Sequence, residues 1–200
     1  MVMIFISILV WGFLHTLLAS QKVKDRARQV LGPTGNRFYR LGYNVFAAIS
    51  FLPVLALIAL TPDHRLYLVP LPWSVLMVAG EVLAAGMLVV GLMQTDPWEF
   101  AGLRQLGDFE GASQLTTRGL YRVVRHPLYS AGMVIIWLLP LMTLNVLVFN
   151  LALSGYIVVG AIFEERKLRR EFGQKYAEYA VFTPMFIPFL KWNKKKDPTS

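Results

Sequence analysis

The 200-residue chain contains no cysteine, which excludes disulfides, thiolate metal sites and a cysteine nucleophile and leaves the redox compartment unreadable. Charge is scarce as well: Asp, Glu, Lys and Arg make up 16% of the residues, and only 12 are acidic. The histidines, His15, His64 and His126, have no spacing that suits a shared metal, so no metal site is expected. A Gly-rich strand-to-helix turn of the Rossmann type is missing, which removes a soluble-style cofactor domain. No Pro-, Gly- or Ser-rich linker divides the chain and no repeat stands out, so one domain is expected over residues 1–200. What is abundant is apolar: 56% of residues are hydrophobic and the mean hydropathy is +0.50. So many apolar side chains cannot all be interior in a domain of this size. The composition therefore indicates an all-α integral membrane protein.

A helix needs about 20 apolar residues to cross the hydrocarbon, and five segments approach that length: 2–19, 41–60, 74–93, 127–142 and 145–163. Five transmembrane helices are expected, three of them in 1–93. Residues 94–190 would hold a polar loop, the last two helices and a C-terminal helix, with a basic tail at 191–200. The last two helices are separated only by "TLN" and are expected to form a tight hairpin. Nineteen of the twenty Lys and Arg fall on alternate connections, namely 20–40, 94–126 and the stretch after 163. The positive-inside rule then puts the N-terminus outside and the C-terminus in the cytoplasm. Topology accounts for the net charge of +8, so nucleic acid is not an expected partner and membrane lipids are. The first segment lacks a basic n-region and is followed by Lys22, Lys24, Arg26 and Arg28, as a retained helix would be rather than a cleaved signal.

Nearly all polar sequence lies on the expected cytoplasmic side, and the stretch "GLYRVVRHPLYSAG" at 119–132 is the most informative part of it. Pro127 falls where the fourth helix would begin, a position at which its missing N–H costs nothing and the next free amides face the cytoplasm. With Arg125 and His126 beside it, this helix start can hold a carboxylate or phosphate. An ordinary helix start with basic residues on lipid head groups is the competing reading. The hairpin brings Glu164 and Glu165 back to the level of Arg125 and His126, because two legs of about 1.5 Å per residue cancel. A charged helix exit, or a salt bridge to Arg125, would explain the acids equally well. Acid and base clustered around Tyr121 and Tyr129 at the edge of the oil suit a ligand with both charges and an apolar part. S-adenosylmethionine is such a ligand. Downstream, Leu168, Phe172, Tyr176 and Tyr179 recur at helical spacing, so an amphipathic helix is expected, with a possible break at Gly173. Pro184 and Pro188 favour an extended aromatic segment after it.

"RHPLYSAG", the following hairpin and "EERKLRREFGQKYAEYAVFTPMFIP" together resemble the isoprenylcysteine carboxyl methyltransferase family of integral-membrane enzymes, over about 113–188. "TDPWEFAGLRQL" resembles the corresponding loop of bacterial methanethiol S-methyltransferases, and "HTLLAS" and "YRLGYN" resemble NnrU-type membrane proteins. The resemblance implies methyl transfer from S-adenosylmethionine. It places cofactor contacts on Ser113, Gln114, Leu115, Thr116, Tyr121, His126, Pro127, Leu128, Tyr129 and Glu164, with Arg125 beside them. The prenylcysteine enzymes carry an arginine about four residues before the first matching glutamate, where this chain has Gly160. That departure turns the expectation from prenylcysteine carboxyl methylation toward a small or lipophilic acceptor, a thiol first. For a thiol, Arg125, Glu164 and Glu165 are the expected catalytic residues, with a glutamate whose pKa is raised at the membrane edge taking the proton. Phospholipid N-methylation, carboxyl methylation and a non-catalytic NnrU-like accessory role are the alternatives.

Other polar residues carry weaker expectations. His15, one turn from the end of the first helix, is a functional candidate or an interhelical hydrogen-bonding group. Glu81, flanked by Gly80 and Ala84, reads as part of a helix-packing surface, and Asn150 as interhelical glue. Trp98 and Phe100 could form a lid or an interfacial anchor.

Overall fold

The computed structural model describes residues 1–95 and 114–190, with the backbone alone at 33–37 and 40. α1 (Val2–Ala19) is mostly apolar, carries no Asp, Glu, Lys or Arg, and stops at Ser20, whose hydroxyl accepts from Val23 N and so caps the next helix. α2 (Gln21–Leu60) is broken at Gly32, and its apolar part is Leu41–Leu60. A short strand β1 (Arg65–Leu68) leads to α3 (Trp73–Gln94). After the turn at Gly119 come α4 (Leu120–Val123), α5 (Pro127–Trp137), strand β2 (Leu141–Thr143) and α6 (Leu144–Phe182).

Among the described residues, four helices are long and apolar enough to cross a membrane: α1, the 41–60 part of α2, α3 and α6. In α6 the apolar run ends at Phe163 and Glu164 is its first charge. At 1.5 Å per residue, 144–163 rises about 30 Å, the thickness of the hydrocarbon, so the helix from Glu164 onward lies beyond it.

Two features differ from the sequence expectation. The fourth apolar segment is helical only over the 11 residues of α5, too short to span, and the connection to α6 is not a three-residue turn but the run 138–143, which includes β2. Pro140 is the cause. Its ring removes the N–H that would bond the Ile136 carbonyl and collides with that turn, and the freed Ile136 carbonyl accepts from the side-chain amide of Asn150 on α6. Asn150 thus serves as the interhelical glue expected of it. The second difference is the two-stranded antiparallel ladder itself, Arg65 opposite Thr143 and Leu68 opposite Leu141 with an irregularity between, in a chain expected to be all helix. Between α5 and α6 the chain bends at 138–140 and is extended over Leu141–Thr143.

At the ladder end, Asp63 Oδ1 accepts from the amides of His64 (2.8 Å) and Asn145 (2.9 Å), while the Asn145 side chain donates to Thr61 O at 3.1 Å. These contacts tie the end of α2 to the start of α6. In the interior, Ile4 and Ile8 of α1 pack with Val54 of α2 and with Val148, Phe149 and Ala152 of α6. A Cβ on Gly12 would stand 2.8 Å from the Tyr156 ring. Ile4 and Ile8 share this cluster with 148–152 and Gly12 meets Tyr156 further along both helices, so α1 and α6 run parallel. α3 packs on α5 through Gly80, Ala84 and Gly91, the small-residue surface foreseen around Glu81. α6 joins the two pairs, touching α1 and α2 on one side and α5 on the other.

Candidate active site at the start of the fifth helix

Residues 119–126 are held from three directions. Gly119 has φ of +62°, and a Cβ there would run into the Gln94 side chain, so only glycine fits the turn. Gln94 Oε1 accepts from Leu120 N at 2.8 Å, which attaches α4 to the end of α3. On the other side the chain after α6 runs back beside it: Arg125 N donates to Pro184 O (2.9 Å) and His126 N to Met185 O (3.1 Å). Ser130 Oγ donates to Phe186 O at 2.8 Å, and the Tyr179 hydroxyl donates to the Tyr121 carbonyl. The segment around Pro184 leaves the helix as expected but runs as bends and a turn rather than extended throughout, and it clamps the start of α5.

Glu165 is the centre of this clamp. Its carboxylate accepts from Arg125 Nε (2.7 Å) and Nη2 (3.0 Å) as a bidentate pair, and Oε1 also accepts from the Tyr176 hydroxyl (2.6 Å) and lies 3.0 Å from His126 Nε2. Arg125 Nη1 continues to the carbonyls of Ala180 (3.1 Å) and Thr183 (2.5 Å). The carboxyl pKa falls to about 2: burial alone would raise it, but the hydrogen bonds from His126, Arg125 and Tyr176 and the guanidinium charge outweigh burial. For Glu165 this corrects the expectation of a raised pKa at the membrane edge, since a paired carboxylate with four donors is stabilised in its charged form. Burial, together with Glu165 itself, pushes the Tyr176 hydroxyl up, so it stays a donor.

Glu164 has a different setting. Its side chain is 43% exposed, and Oε2 accepts from the Tyr129 hydroxyl at 2.9 Å and lies 3.7 Å from His126 Nδ1. The rings of His126 and Tyr129 stack at 5.4 Å. Burial, followed by the charge of Glu164, raises the nearby Tyr121 hydroxyl to about 12, which keeps it neutral. His126 therefore stands between the two acids, one ring nitrogen toward each.

Of the residues expected to act, the structure brings together Tyr121, Arg125, His126, Tyr129, Glu164 and Glu165. Pro127 is the buried first residue of α5, as foreseen. The Leu128 side chain turns away to Gly91 of α3. Gln114 is exposed and Leu115 and Thr116 half-buried, in the non-helical run before α4. Ser113, Trp98, Phe100 and the 191–200 tail lie outside the described residues. Sequence reasoning missed the clamp residues Tyr176 and Thr183. The stripe containing Tyr176 was visible, but it reads as a surface for lipid or helix ends. Gly173, with φ of +53°, breaks α6 as expected, and the bend lets Tyr176 meet Glu165 eleven residues earlier.

The profile of the phospholipid methyltransferase family matches residues 75–175, half of the chain. The chain belongs to that family. The match runs from α3 through both glutamates and so contains the whole polar cluster except Tyr176 and the segment after it. Among curated proteins, this phospholipid methyltransferase family member is similar to methanethiol S-methyltransferase 2 of Bradyrhizobium diazoefficiens, 37% identical over 51% of this chain and 41% of that protein. Methanethiol S-methyltransferase 1 of the same organism is 29% identical over 88% of this chain and 63% of its own length. A probable protein-S-isoprenylcysteine O-methyltransferase of Oryza sativa subsp. indica is 33% identical over 42% of this chain and 45% of that protein. The chain thus spans roughly two fifths to two thirds of the length of these relatives. No solved structure matches the family member significantly.

Proposed function

We propose that the protein is an integral-membrane methyltransferase that uses S-adenosylmethionine and acts on a small or lipophilic acceptor, with a thiol as the favoured class. The observation that carries this reading is the division of labour between two adjacent acids: Glu165 is consumed by the clamp, whereas Glu164 has one oxygen without a partner among the described residues and stands half-exposed beside Tyr121 and Tyr129. The donor set fits the cofactor. The uncommitted Glu164 oxygen suits its ammonium or ribose hydroxyls, the free amides at the start of α5 suit its carboxylate, and tyrosine faces suit a sulfonium. When bound, S-adenosylmethionine supplies an electrophilic methyl group and is left as a neutral thioether.

The chain's own residues position. The reaction is an in-line displacement that requires the acceptor about 3–3.5 Å from the methyl carbon, and a rigid clamp at 125–126 fixes the wall against which both reactants sit. Arg125 and Glu165 act as positioning residues on this reading, holding His126 and the start of α5 to the segment at 183–186. Glu164 and Tyr129 face the ligand. The polar cluster faces the cytoplasm by the charge asymmetry of the connections. The relatives named as methanethiol S-methyltransferases support the thiol class, and the glycine at position 160 supports an acceptor unlike a prenylcysteine.

Calorimetry in detergent with the full chain tests the reading. Glu164→Ala and Arg125→Ala are each expected to weaken binding of S-adenosylmethionine at least tenfold; unchanged affinity in both variants would overturn it. Labelled methyl donor offered with a thiol, a carboxylate and a phospholipid panel then reads the acceptor class. Cofactor binding without transfer to any of them would favour an accessory role.

A further inference from the structure

We infer that His15, Tyr43 and Tyr156 form a proton-transfer chain that removes the proton of the acceptor thiol, an inference that rests on the thiol-methylating reading above. The three residues come from α1, α2 and α6. Tyr156 Oη lies 2.7 Å from His15 Nδ1 and 3.3 Å from Thr16 Oγ1, and His15 Nε2 lies 2.6 Å from the Tyr43 hydroxyl. Trp11 stacks on the imidazole at 4.9 Å and holds its plane. The Tyr156 ring lies on Gly12, so closely that no Cβ is tolerated there, and its hydroxyl reaches one turn further, to Thr16.

This chain borders the space beside the candidate active site. The Tyr156 ring lies on Gly12 and its hydroxyl reaches Thr16, and the same hydroxyl is within electrostatic reach of Tyr129 at the candidate active site. A Cβ on Gly160 would meet no atom within 4 Å. Tyr156, Gly160 and Glu164 succeed one another at four-residue spacing on one face of α6. The open face at Gly160 therefore lies between the rung of Tyr156, hydrogen-bonded to His15, and the rung of Glu164, hydrogen-bonded to Tyr129. If the polar group of His15 served only to join helices, a single hydroxyl-to-carbonyl bond such as Tyr39 to Leu18 O (2.7 Å), present one turn away, would suffice. Instead both ring nitrogens are engaged, each by a group that can give and accept a proton.

Transfer to a neutral thiol forms a carbon–sulfur bond to the acceptor and breaks the one to the sulfonium, whose electron pair leaves with the departing thioether. The acceptor S–H electrons stay on its sulfur, so its proton must go elsewhere. With Tyr156 donating to Nδ1 and Nε2–H donating to Tyr43, one concerted shift carries it away. The thiol proton passes to the Tyr156 oxygen, the Tyr156 proton to Nδ1, the Nε2 proton to the Tyr43 oxygen, and the Tyr43 hydroxyl proton to water at the membrane edge, since Tyr43 is the third residue of the apolar part Leu41–Leu60 of α2. Every member ends neutral. The titratable groups facing His15 are Tyr43 on α2 and Tyr156 on α6, with Tyr39 one turn from Tyr43.

The test compares the full chain with Tyr43→Phe and His15→Gln in detergent, using methanethiol and thiophenol, an aromatic thiol largely ionised near neutral pH, as acceptors. Both variants are expected to lose at least tenfold in rate on methanethiol at neutral pH, a factor typical of a lost proton-transfer partner. Their rates should climb with pH as methanethiol ionises, while thiophenol turnover stays within about twofold of the parent chain. Binding of S-adenosylhomocysteine by calorimetry should be unchanged, and nitrogen NMR of the cofactor-free protein should show His15 as the Nε2–H tautomer. Equal losses on both thiols at every pH, or no loss at all, would overturn the relay. A parent chain that methylates neither thiol would remove the thiol reading, and the relay with it.

Discussion

Glu164 and Glu165 are neighbours in sequence, and the fold gives them unlike tasks. Successive residues on a helix point about 100° apart, so only one can enter the clamp while the other faces the edge of the site. The sequence placed both acids beside Arg125 and His126, and this juxtaposition was legible from the returning legs of the chain. Which acid would be paired was not legible, because it depends on the rotation of α6 about its own axis. The pairing has a measurable consequence. Replacing Glu165 with Gln leaves the buried Arg125 guanidinium, 12% exposed, without its counter-charge, and breaking such a pair costs about 3–5 kcal/mol. A drop of several degrees in the thermal midpoint in detergent is expected. Because the Glu165 carboxyl titrates at about 2 instead of its ordinary 4.5, its contribution is complete above about pH 4.5 and is lost as the pH falls from there toward 2. Pepsin cleavage within 183–190 should therefore increase across that window in the parent chain. In Glu165→Gln the segment should be loose throughout, and an identical pH profile in the two proteins would show that Glu165 does not hold it.

At the level of elements, the misread stretch is 127–143. Hydropathy alone treats "IIWLLPLM" as the continuation of a helix, but Pro140 ends it, and the ladder with β1 takes over the backbone hydrogen bonds that a helix would have made internally. Apolar content reports burial in oil or protein; it does not report backbone conformation. The break at Gly173 was more legible, since it interrupts a stripe whose spacing stays helical on both sides, whereas the break at Gly32 was not read. The φ of +53° at Gly173 is strained for any residue with a Cβ, at a cost of about 1–3 kcal/mol. Gly173→Ala is expected to lower the thermal midpoint by several degrees and to weaken cofactor binding, because straightening α6 carries Tyr176 away from Glu165. Gly155, helical and facing open space, provides the contrast: Gly155→Ala should leave both quantities unchanged or slightly raise the midpoint. Equal effects at the two positions would mean that the bend does not seat the clamp.

The molecule as a whole has two unlike ends. One gathers the end of α1, the end of α3, the start of α5 and residue 163, and carries the polar cluster; the other gathers Asp63, the β ladder and Asn145. Geometry fixes which residues share an end but gives no sign to it. The expected sign comes from charge: 19 of the 20 Lys and Arg fall in 20–40, 94–126 and the stretch after 163, and by the positive-inside rule the end these stretches flank is expected to be cytoplasmic. The absence of cysteine makes this simple to measure, because one introduced thiol is the only one to label. In cells expressing the chain, a membrane-impermeant maleimide is expected to label His64→Cys from outside and to reach Gln21→Cys only after permeabilisation. The opposite pattern would place Glu164 outside the compartment that supplies S-adenosylmethionine. The functional reading would then fail even with every hydrogen bond of the clamp intact, because a site of this chemistry works only on the side where its methyl donor is found.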